Sequence, residues 1–122
     1  ASIRASDCAD LRILVVDNGS QDVQALAARL EGQAELLRLP SNCGFSGGMN
    51  AGIAEALAGG ADYVLLLNND TEVPVDMVRT LIQTAEAQPA LGILGPLVLP
   101  LPPAQSPVLG VGRIDLWTGT TP

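Results

Sequence analysis

The chain has 122 residues, 48% of them apolar, and its net charge is −7 because 13 acidic residues outnumber six basic ones, all of them arginine. This length predicts one domain that buries a core without disulfide bonds. The acidic balance argues against a nucleic-acid partner and against a basic membrane-surface helix. The absence of histidine excludes histidine-based catalytic triads and histidine-ligated zinc.

The two cysteines and the apolar segments indicate a soluble protein. Cys8 and Cys43 are too far apart for a CxxC motif, and we expect reduced thiols in a cytoplasmic setting. The most apolar stretch, Ala90–Ala104, is interrupted by prolines and is shorter than the roughly 20 residues of a membrane-spanning helix. We therefore predict no membrane segment in this chain.

The predicted elements begin after a polar lead-in at residues 1–10. The apolar, β-branched run Leu11–Val16 predicts a buried strand. Ser20 is predicted to cap a helix whose apolar residues recur at helical spacing and which stops at Gly32. Glu35–Leu39 follows as a second short strand.

A glycine-rich loop at Gly44–Gly52 then leads into a short helix that ends at Gly59. Tyr63–Leu67 is the most continuous strand pattern in the chain. Pro74 is predicted to open a further helix, which has an apolar stripe and ends before Pro89.

The last predicted strand is Ile93–Leu99, which Pro96 makes an edge or broken strand. Residues 101–122 are rich in proline and glycine, with a short strand expected around Val108–Leu116. Strands and helices alternate throughout, so we predict an α/β fold with a parallel, Rossmann-like sheet whose core covers residues 11–100.

Two predicted strands end in polar turns that carry acids, and these turns are expected at one edge of the sheet, where such folds bind ligands. Asp17 can accept a hydrogen bond from a uracil or thymine N3–H or from a ribose hydroxyl. The alternative is an Asx-turn that only shapes the strand exit. Asp70 suits Mg²⁺ or Mn²⁺ beside a diphosphate, and its alternative role is to cap a turn. Nearby Glu72 is expected to be solvated.

The glycine-rich stretch between these turns suits a phosphate, because a helix that starts near Ser46 or Gly47 presents free N–H groups. It matches neither the P-loop nor the dinucleotide-binding glycine pattern. The alternative interpretation is tight packing of helix on sheet through Gly48 and Gly52.

Four segments in order, VVDNGSQD, NCGFSGGMNAGI, DYVLLLNNDTEVP and LGILGP, resemble the family 2 glycosyltransferases with the GT-A fold, and most of all their rhamnosyltransferase-like branch. The resemblance covers Leu11 to Pro96. It implies that Asp17 reads the pyrimidine base, that Asp70 binds the divalent metal, and that Asn68 takes the first position of a DxD-like motif. The remaining residues that the resemblance places around the donor pocket are Asn18, Asn42, Gly44, Gly48 and Asn50.

The resemblance implies inverting, metal-assisted transfer of a hexosyl or deoxyhexosyl group from a UDP- or dTDP-sugar to a glycan or lipid-linked acceptor, as in polysaccharide biosynthesis. No segment here matches the family's first strand or its acceptor half with the catalytic base. We therefore expect an incomplete GT-A sheet, the donor-binding part of a larger enzyme that is inactive alone, cytoplasmic or peripheral to a membrane. Residues 101–122 would begin the acceptor side. Two alternatives stay open: a nucleotidyltransferase-like domain and a non-catalytic α/β nucleotide-binding module.

Overall fold

The computed structural model describes residues 2–100 of the chain. The chain divides into two compact units, one that runs through Val78 and one from Arg79 onward. In chain order the described elements are a short 3-10 helix, a β-strand, an α-helix, a second β-strand and two further α-helices. No helix among these residues is long and apolar enough to cross a membrane.

Two short strands form the sheet of the first unit. Strand β1 (Leu14–Asp17) pairs in parallel with β2 (Glu35–Arg38), and the register sets Val15 opposite Leu36 and Asp17 opposite Arg38. Both strands lie where the apolar runs predicted them, and the connection between them contains a helix, as parallel pairing requires. Asp17 is thus the last residue of β1, at the carboxyl end of the sheet.

Helix α1 (Val23–Leu30) makes that connection. Its N-cap is Asp22, whose side chain accepts a hydrogen bond from the backbone N–H of Ala25 at 3.2 Å. The prediction that Ser20 caps this helix is wrong. The N–H of Ser20 instead donates to Asp17 Oδ1, so Ser20 belongs to the turn that leaves β1.

Helix α2 (Gly44–Ala58) contains the whole glycine-rich stretch. The prediction of a loop over Gly44–Gly52 is therefore wrong, as is the expectation that the helix starts near Ser46. Glycine costs a helix only about 1 kcal/mol per residue, which close packing on a neighbouring strand can offset. A β-carbon on Gly52 would lie 2.8 Å from Val16 Cγ2, so α2 contacts β1 more closely than any larger residue would allow.

Helix α3 (Met77–Ala87) confirms the helix predicted before Pro89, but it begins three residues after Pro74. Pro74 instead accepts the N–H of Met77 across a turn. Val78 is buried, and the other residues of the predicted stripe are half-buried: Leu81, Ile82 and Ala85.

Two predicted strands do not form. Tyr63–Leu67 and Ile93–Leu99 are not strands, and Tyr63 and Leu66 each remain about half exposed, at 53% and 51%. Apolar sequence favours a strand, but a strand exists only where a neighbour supplies the other half of the hydrogen-bond ladder. Within residues 2–100 the only strands that pair with each other are β1 and β2, and Val98 forms only an isolated bridge. The strand expected around Val108–Leu116 lies outside the described residues.

The lead-in contains a 3-10 helix, Ser2–Ala5, that packs within the first unit. Ile3 is buried, as are Met77 and Val78. Ser2 Oγ accepts the N–H of Val73 at 2.9 Å. These contacts join the start of the described chain to the segment that precedes α3.

Candidate functional site

Asp17 is the buried acid of the first unit. The residue is 2% exposed, and its Oδ1 accepts the N–H of Ser20 at 3.1 Å. Its Oδ2 is also buried but accepts no hydrogen bond from the residues that the structure describes. The sequence left open a role in which Asp17 only shapes the strand exit, and this bond to the residue three positions on supplies it, although it is not an Asx-turn. The bond occupies one carboxylate oxygen and leaves the other with unused acceptor capacity.

The charge of Asp17 is stabilised locally. The side chain of Ser20 is the largest influence and lowers the pKa of the Asp17 carboxyl below its ordinary value. Desolvation acts in the opposite direction, and the backbone N–H of Ser20 and the positive charge of Arg38 lower the pKa further. Asp17 is thus an ionised acceptor at neutral pH, suited to a ligand that presents an N–H or O–H group.

A pair of amide side chains connects the turn after β1 to the start of α2. Asn18 Nδ2 donates to Asn42 Oδ1 at 3.2 Å and to the Gly44 carbonyl at 2.9 Å. Asn18 Oδ1 accepts the N–H of Cys43 at 2.9 Å, and Asn42 Oδ1 accepts the N–H of Gly44 at 2.8 Å. The structure therefore brings together three of the predicted site residues, Asn18, Asn42 and Gly44.

Two glycines bring this cluster close to the helix. A β-carbon on Gly48 would lie 3.4 Å from Asn18 Nδ2, an ordinary van der Waals distance, so Gly48 faces the Asn18 amide with space for about one methyl group between them. Gly19 has a φ of +82°, and a β-carbon there would lie 2.8 Å from the backbone N of Asn42. The helix-on-sheet packing that the sequence left as the alternative is present at Gly52 against Val16, whereas the donor-pocket role that the resemblance implies for Gly48 stays a prediction.

The remaining predicted site residues are not part of this cluster. Asn50 is exposed on α2, and Asn68 and Asp70 are exposed in the turn that follows Leu67. The backbone carbonyl of Asn68 accepts the hydroxyl of Thr71 at 2.7 Å, which shapes that turn. No hydrogen bond among the described residues joins Asn50, Asn68 or Asp70 to Asp17.

The turn Asn68-Asn69-Asp70 offers a metal ion one carboxylate, that of Asp70. Within residues 2–100 no three acidic, cysteine or histidine residues are grouped so that they could hold a metal ion. One carboxylate still fits Mg²⁺, which commonly takes one or two protein carboxylates and completes its shell with phosphate oxygens and water. Asp70 would therefore bind a metal together with a diphosphate.

An open cleft of about 350 Å³ lies at the opposite end of the strands, where the lining residues precede β1 and β2. There Arg12 pairs with Glu35 through two hydrogen bonds and also reaches the Gly59 carbonyl. The hydrogen bond from Arg12 is the main cause that lowers the pKa of Glu35. None of the predicted site residues lines this cleft, and ligands of open α/β sheets bind at the other end.

The site residue whose partner the sequence did not reveal is Arg38. Its Nε lies 3.9 Å from Asp17 Oδ2, because the parallel register sets the two residues side by side at the ends of their strands. The sequence shows an arginine near the end of the second strand, but only the register assigns it to Asp17.

A carboxylate at the carboxyl end of a parallel strand, beside a glycine-containing helix start, is consistent with an α/β protein that binds a nucleotide. The model of the family described as Glycosyl transferase family 2 matches residues 1–100. The chain therefore belongs to glycosyltransferase family 2, and glycosyl transfer from a nucleotide sugar to an acceptor is the general activity of that family. No curated protein and no solved structure matches the chain.

Proposed function

We propose that this chain is the donor-binding part of a family 2 glycosyltransferase and that it binds a UDP- or dTDP-sugar. The observation that carries the proposal is the second carboxylate oxygen of Asp17, which is buried and ionised and accepts no hydrogen bond from the described residues. A buried acceptor without a partner is costly unless a ligand supplies the donor. The N3–H of uracil or thymine is such a donor.

The start of α2 is the part of the proposed site that would bind the diphosphate. A helix leaves the N–H groups of its first turn without partners inside the helix, and its dipole favours a negative charge there. The first turn of α2 runs from Gly44 to Gly47, and Asn18, the residue after Asp17, contacts it. The N–H of Gly44 is already accepted by Asn42 Oδ1, which leaves those of Phe45 and Ser46 for the diphosphate. The short separation between the Asp17 turn and this helix start suits a ligand with a base at one end and a diphosphate at the other.

Asp70 is the residue that would hold Mg²⁺ or Mn²⁺, with Asn68 close to the same position. The metal would neutralise the charge of the diphosphate leaving group. Because Asp70 is exposed and no group of three potential ligands exists among the described residues, we expect metal binding to depend strongly on the nucleotide.

In the proposed reaction an acceptor hydroxyl attacks the anomeric carbon of the sugar. The new carbon–oxygen bond forms as the bond to the diphosphate breaks, and the configuration inverts. A base takes the hydroxyl proton; no described residue is assigned that role. The rhamnosyltransferase-like motifs favour a hexosyl or deoxyhexosyl donor and a glycan or lipid-linked acceptor, and we propose a cytoplasmic site of action in polysaccharide biosynthesis.

The test is thermal stabilisation of the purified chain by UDP or dTDP with and without Mn²⁺. A ligand present at about one hundred times its Kd stabilises a protein by about 2.7 kcal/mol, which a melting curve detects. We expect Mn²⁺-dependent stabilisation that is lost in Asp70→Ala and kept in Asp62→Ala, an exposed acid that serves as the charge-matched control.

Two results would overturn the proposal in part or in whole. If neither pyrimidine diphosphate stabilises the folded chain, the proposed site for a UDP- or dTDP-sugar does not exist, and the alternative of a non-catalytic module is favoured. If stabilisation occurs but is the same without Mn²⁺ and in Asp70→Ala, the chain binds the nucleotide without the metal, and Asp70 loses its assigned role.

A further inference from the structure

We infer that Asn18 is a positioning residue of the nucleotide site and not a ligand of the nucleotide: its amide holds the start of α2 in place beside Asp17. This inference rests on the proposed function. It concerns a residue that the family resemblance assigned to the donor pocket without a distinct role.

The amide of Asn18 is already engaged within the protein. A side-chain amide has two N–H donors and one carbonyl acceptor. Asn18 Nδ2 donates to two acceptors, Asn42 Oδ1 and the Gly44 carbonyl, while Oδ1 accepts the N–H of Cys43. A nucleotide could take a donor of this amide only by breaking a bond that holds the loop before α2.

The bonds made by Asn18 and Asn42 hold the chain just before the N–H groups that an ordinary helix cap would satisfy. The N-cap residue of α2 is Cys43, whose side chain makes no capping hydrogen bond. Asparagine, aspartate, serine and threonine usually supply that bond from the N-cap itself. In α2 the N–H groups of Cys43 and Gly44 are instead satisfied by Asn18 and Asn42, so the helix start is fixed from the strand-end turn.

The surrounding backbone leaves little space for another arrangement. Gly19 has a φ of +82° and approaches the loop before α2 so closely that a β-carbon would lie 2.8 Å from the backbone N of Asn42 and 2.8 Å from the backbone carbonyl carbon of Ser41. The turn after β1 and the loop before α2 are thus packed directly on each other. Loss of the Asn18 amide would free the start of α2 to shift, while Asp17 would still be held by Ser20.

Because Ser20 holds Asp17 and Asn18 holds the start of α2, the role of Asn18 can be measured separately from that of Asp17. If Asn18 positions the helix start, its removal weakens binding of the diphosphate while contact with the base persists. We propose to measure the Kd of UDP and of uridine by NMR titration for the wild-type chain, Asn18→Ala and Asn18→Asp, with Gln21→Glu as the control that adds the charge of Asn18→Asp at an exposed neighbouring position. Hydrogen exchange at the amides of Cys43 and Gly44 is recorded on the same samples.

We expect the preference for UDP over uridine to fall about tenfold in both Asn18 variants, as the loss of one or more hydrogen bonds implies, and to stay unchanged in Gln21→Glu. Exchange at Cys43 and Gly44 should become faster in Asn18→Ala, while the amides of the β1–β2 ladder keep their protection. Asn18→Asp keeps an oxygen that accepts the N–H of Cys43 but loses the two N–H donors to Asn42 and Gly44. It therefore tests the positioning role even if Asn18→Ala does not fold.

The possible failures are distinguishable. If the wild-type chain binds UDP but the variants keep the same UDP-to-uridine preference, Asn18 does not position the site, and the proposed function stands. If exchange accelerates equally throughout the sheet, Asn18 is a general stability residue and the inference is overturned. If the wild-type chain does not bind UDP, the proposed function fails and the inference fails with it.

Discussion

Arg38 Nε lies 3.9 Å from Asp17 Oδ2, at the point where the two parallel strands end together. The Asp17 side chain is 1% exposed and the Arg38 side chain is 57% exposed. At this distance the pair attracts electrostatically but makes no hydrogen bond. The arrangement therefore keeps Asp17 ionised without using the oxygen that we assign to the nucleotide base.

The stability of the fold should depend on the ionisation of Asp17. Its folded-state pKa is lowered, so the carboxylate contributes stability that is present above its ordinary pKa of 3.8 and is lost as the pH falls through the lower folded value. We expect Asp17→Asn to have a lower Tm than the wild-type chain at neutral pH. The difference should shrink in melting curves recorded progressively below pH 3.8; a difference that does not change with pH would contradict this account.

The two neighbours of Asp17 should affect its pKa unequally. The Ser20 side chain is the largest cause of the lowered value, and the charge of Arg38 is the smallest. Ser20→Ala should therefore raise the pKa of Asp17 more than Arg38→Gln does. NMR titration of the Asp17 carboxyl carbon measures both shifts, and the reverse order would show that the ion pair dominates.

The contact of α2 with β1 depends on the absence of a side chain at position 52. A methyl group on Gly52 would lie 2.8 Å from Val16 Cγ2, so Gly52→Ala should reduce the free energy of unfolding by about 1–3 kcal/mol, although alanine favours helices. Denaturant unfolding measures the change.

The matched controls for Gly52→Ala separate this contact from a general effect of alanine. Gly95→Ala adds a methyl group where none of the atoms of residues 2–100 lies within 4 Å and should change stability little. The cost of Gly52→Ala should fall when Val16→Ala is also present, because the second substitution removes the clashing methyl group. Strict additivity of the two substitutions would argue against the contact.

Helix α1 should depend on its N-cap. Asp22→Ala removes the hydrogen bond to the Ala25 N–H and should cost about 1 kcal/mol of stability, whereas the exposed acid Asp62 should be replaceable by alanine at little cost. If Ser20→Ala reduces the helix content measured by circular dichroism more than Asp22→Ala does, the helix begins earlier than the structure shows.

Local sequence patterns predicted the elements that depend on local interactions. The positions of β1, β2, α1 and α3 follow from apolar runs and helical spacing. Tyr63–Leu67 has an equally good strand pattern, but its state depends on whether another segment pairs with it, and sequence periodicity carries no information on that pairing. The glycines of Gly44–Gly52 indicated a loop because glycine has a low helix propensity. Helix propensity takes no account of the packing of α2 on β1, which favours the helix that the structure shows.

The candidate site divides in the same way. Asp17 could be predicted, since an acid after an apolar run lies at a strand end whatever the rest of the fold does. The partnership of Asn18 with Asn42 and of Asp17 with Arg38 could not be predicted, because each depends on the parallel register between residues more than twenty positions apart. Asp70 stays a prediction, since its role depends on a metal and a nucleotide.

The most direct test of the account is the base preference of the purified chain. Isothermal titration calorimetry in the presence of Mn²⁺ compares UDP and dTDP with ADP and GDP, for the wild-type chain and for Asp17→Ala. We predict that the wild-type chain prefers the pyrimidine diphosphates by at least about tenfold, or 1.4 kcal/mol, and that Asp17→Ala removes the preference. Equal or tighter binding of ADP, or a pyrimidine preference that survives Asp17→Ala, would contradict the account.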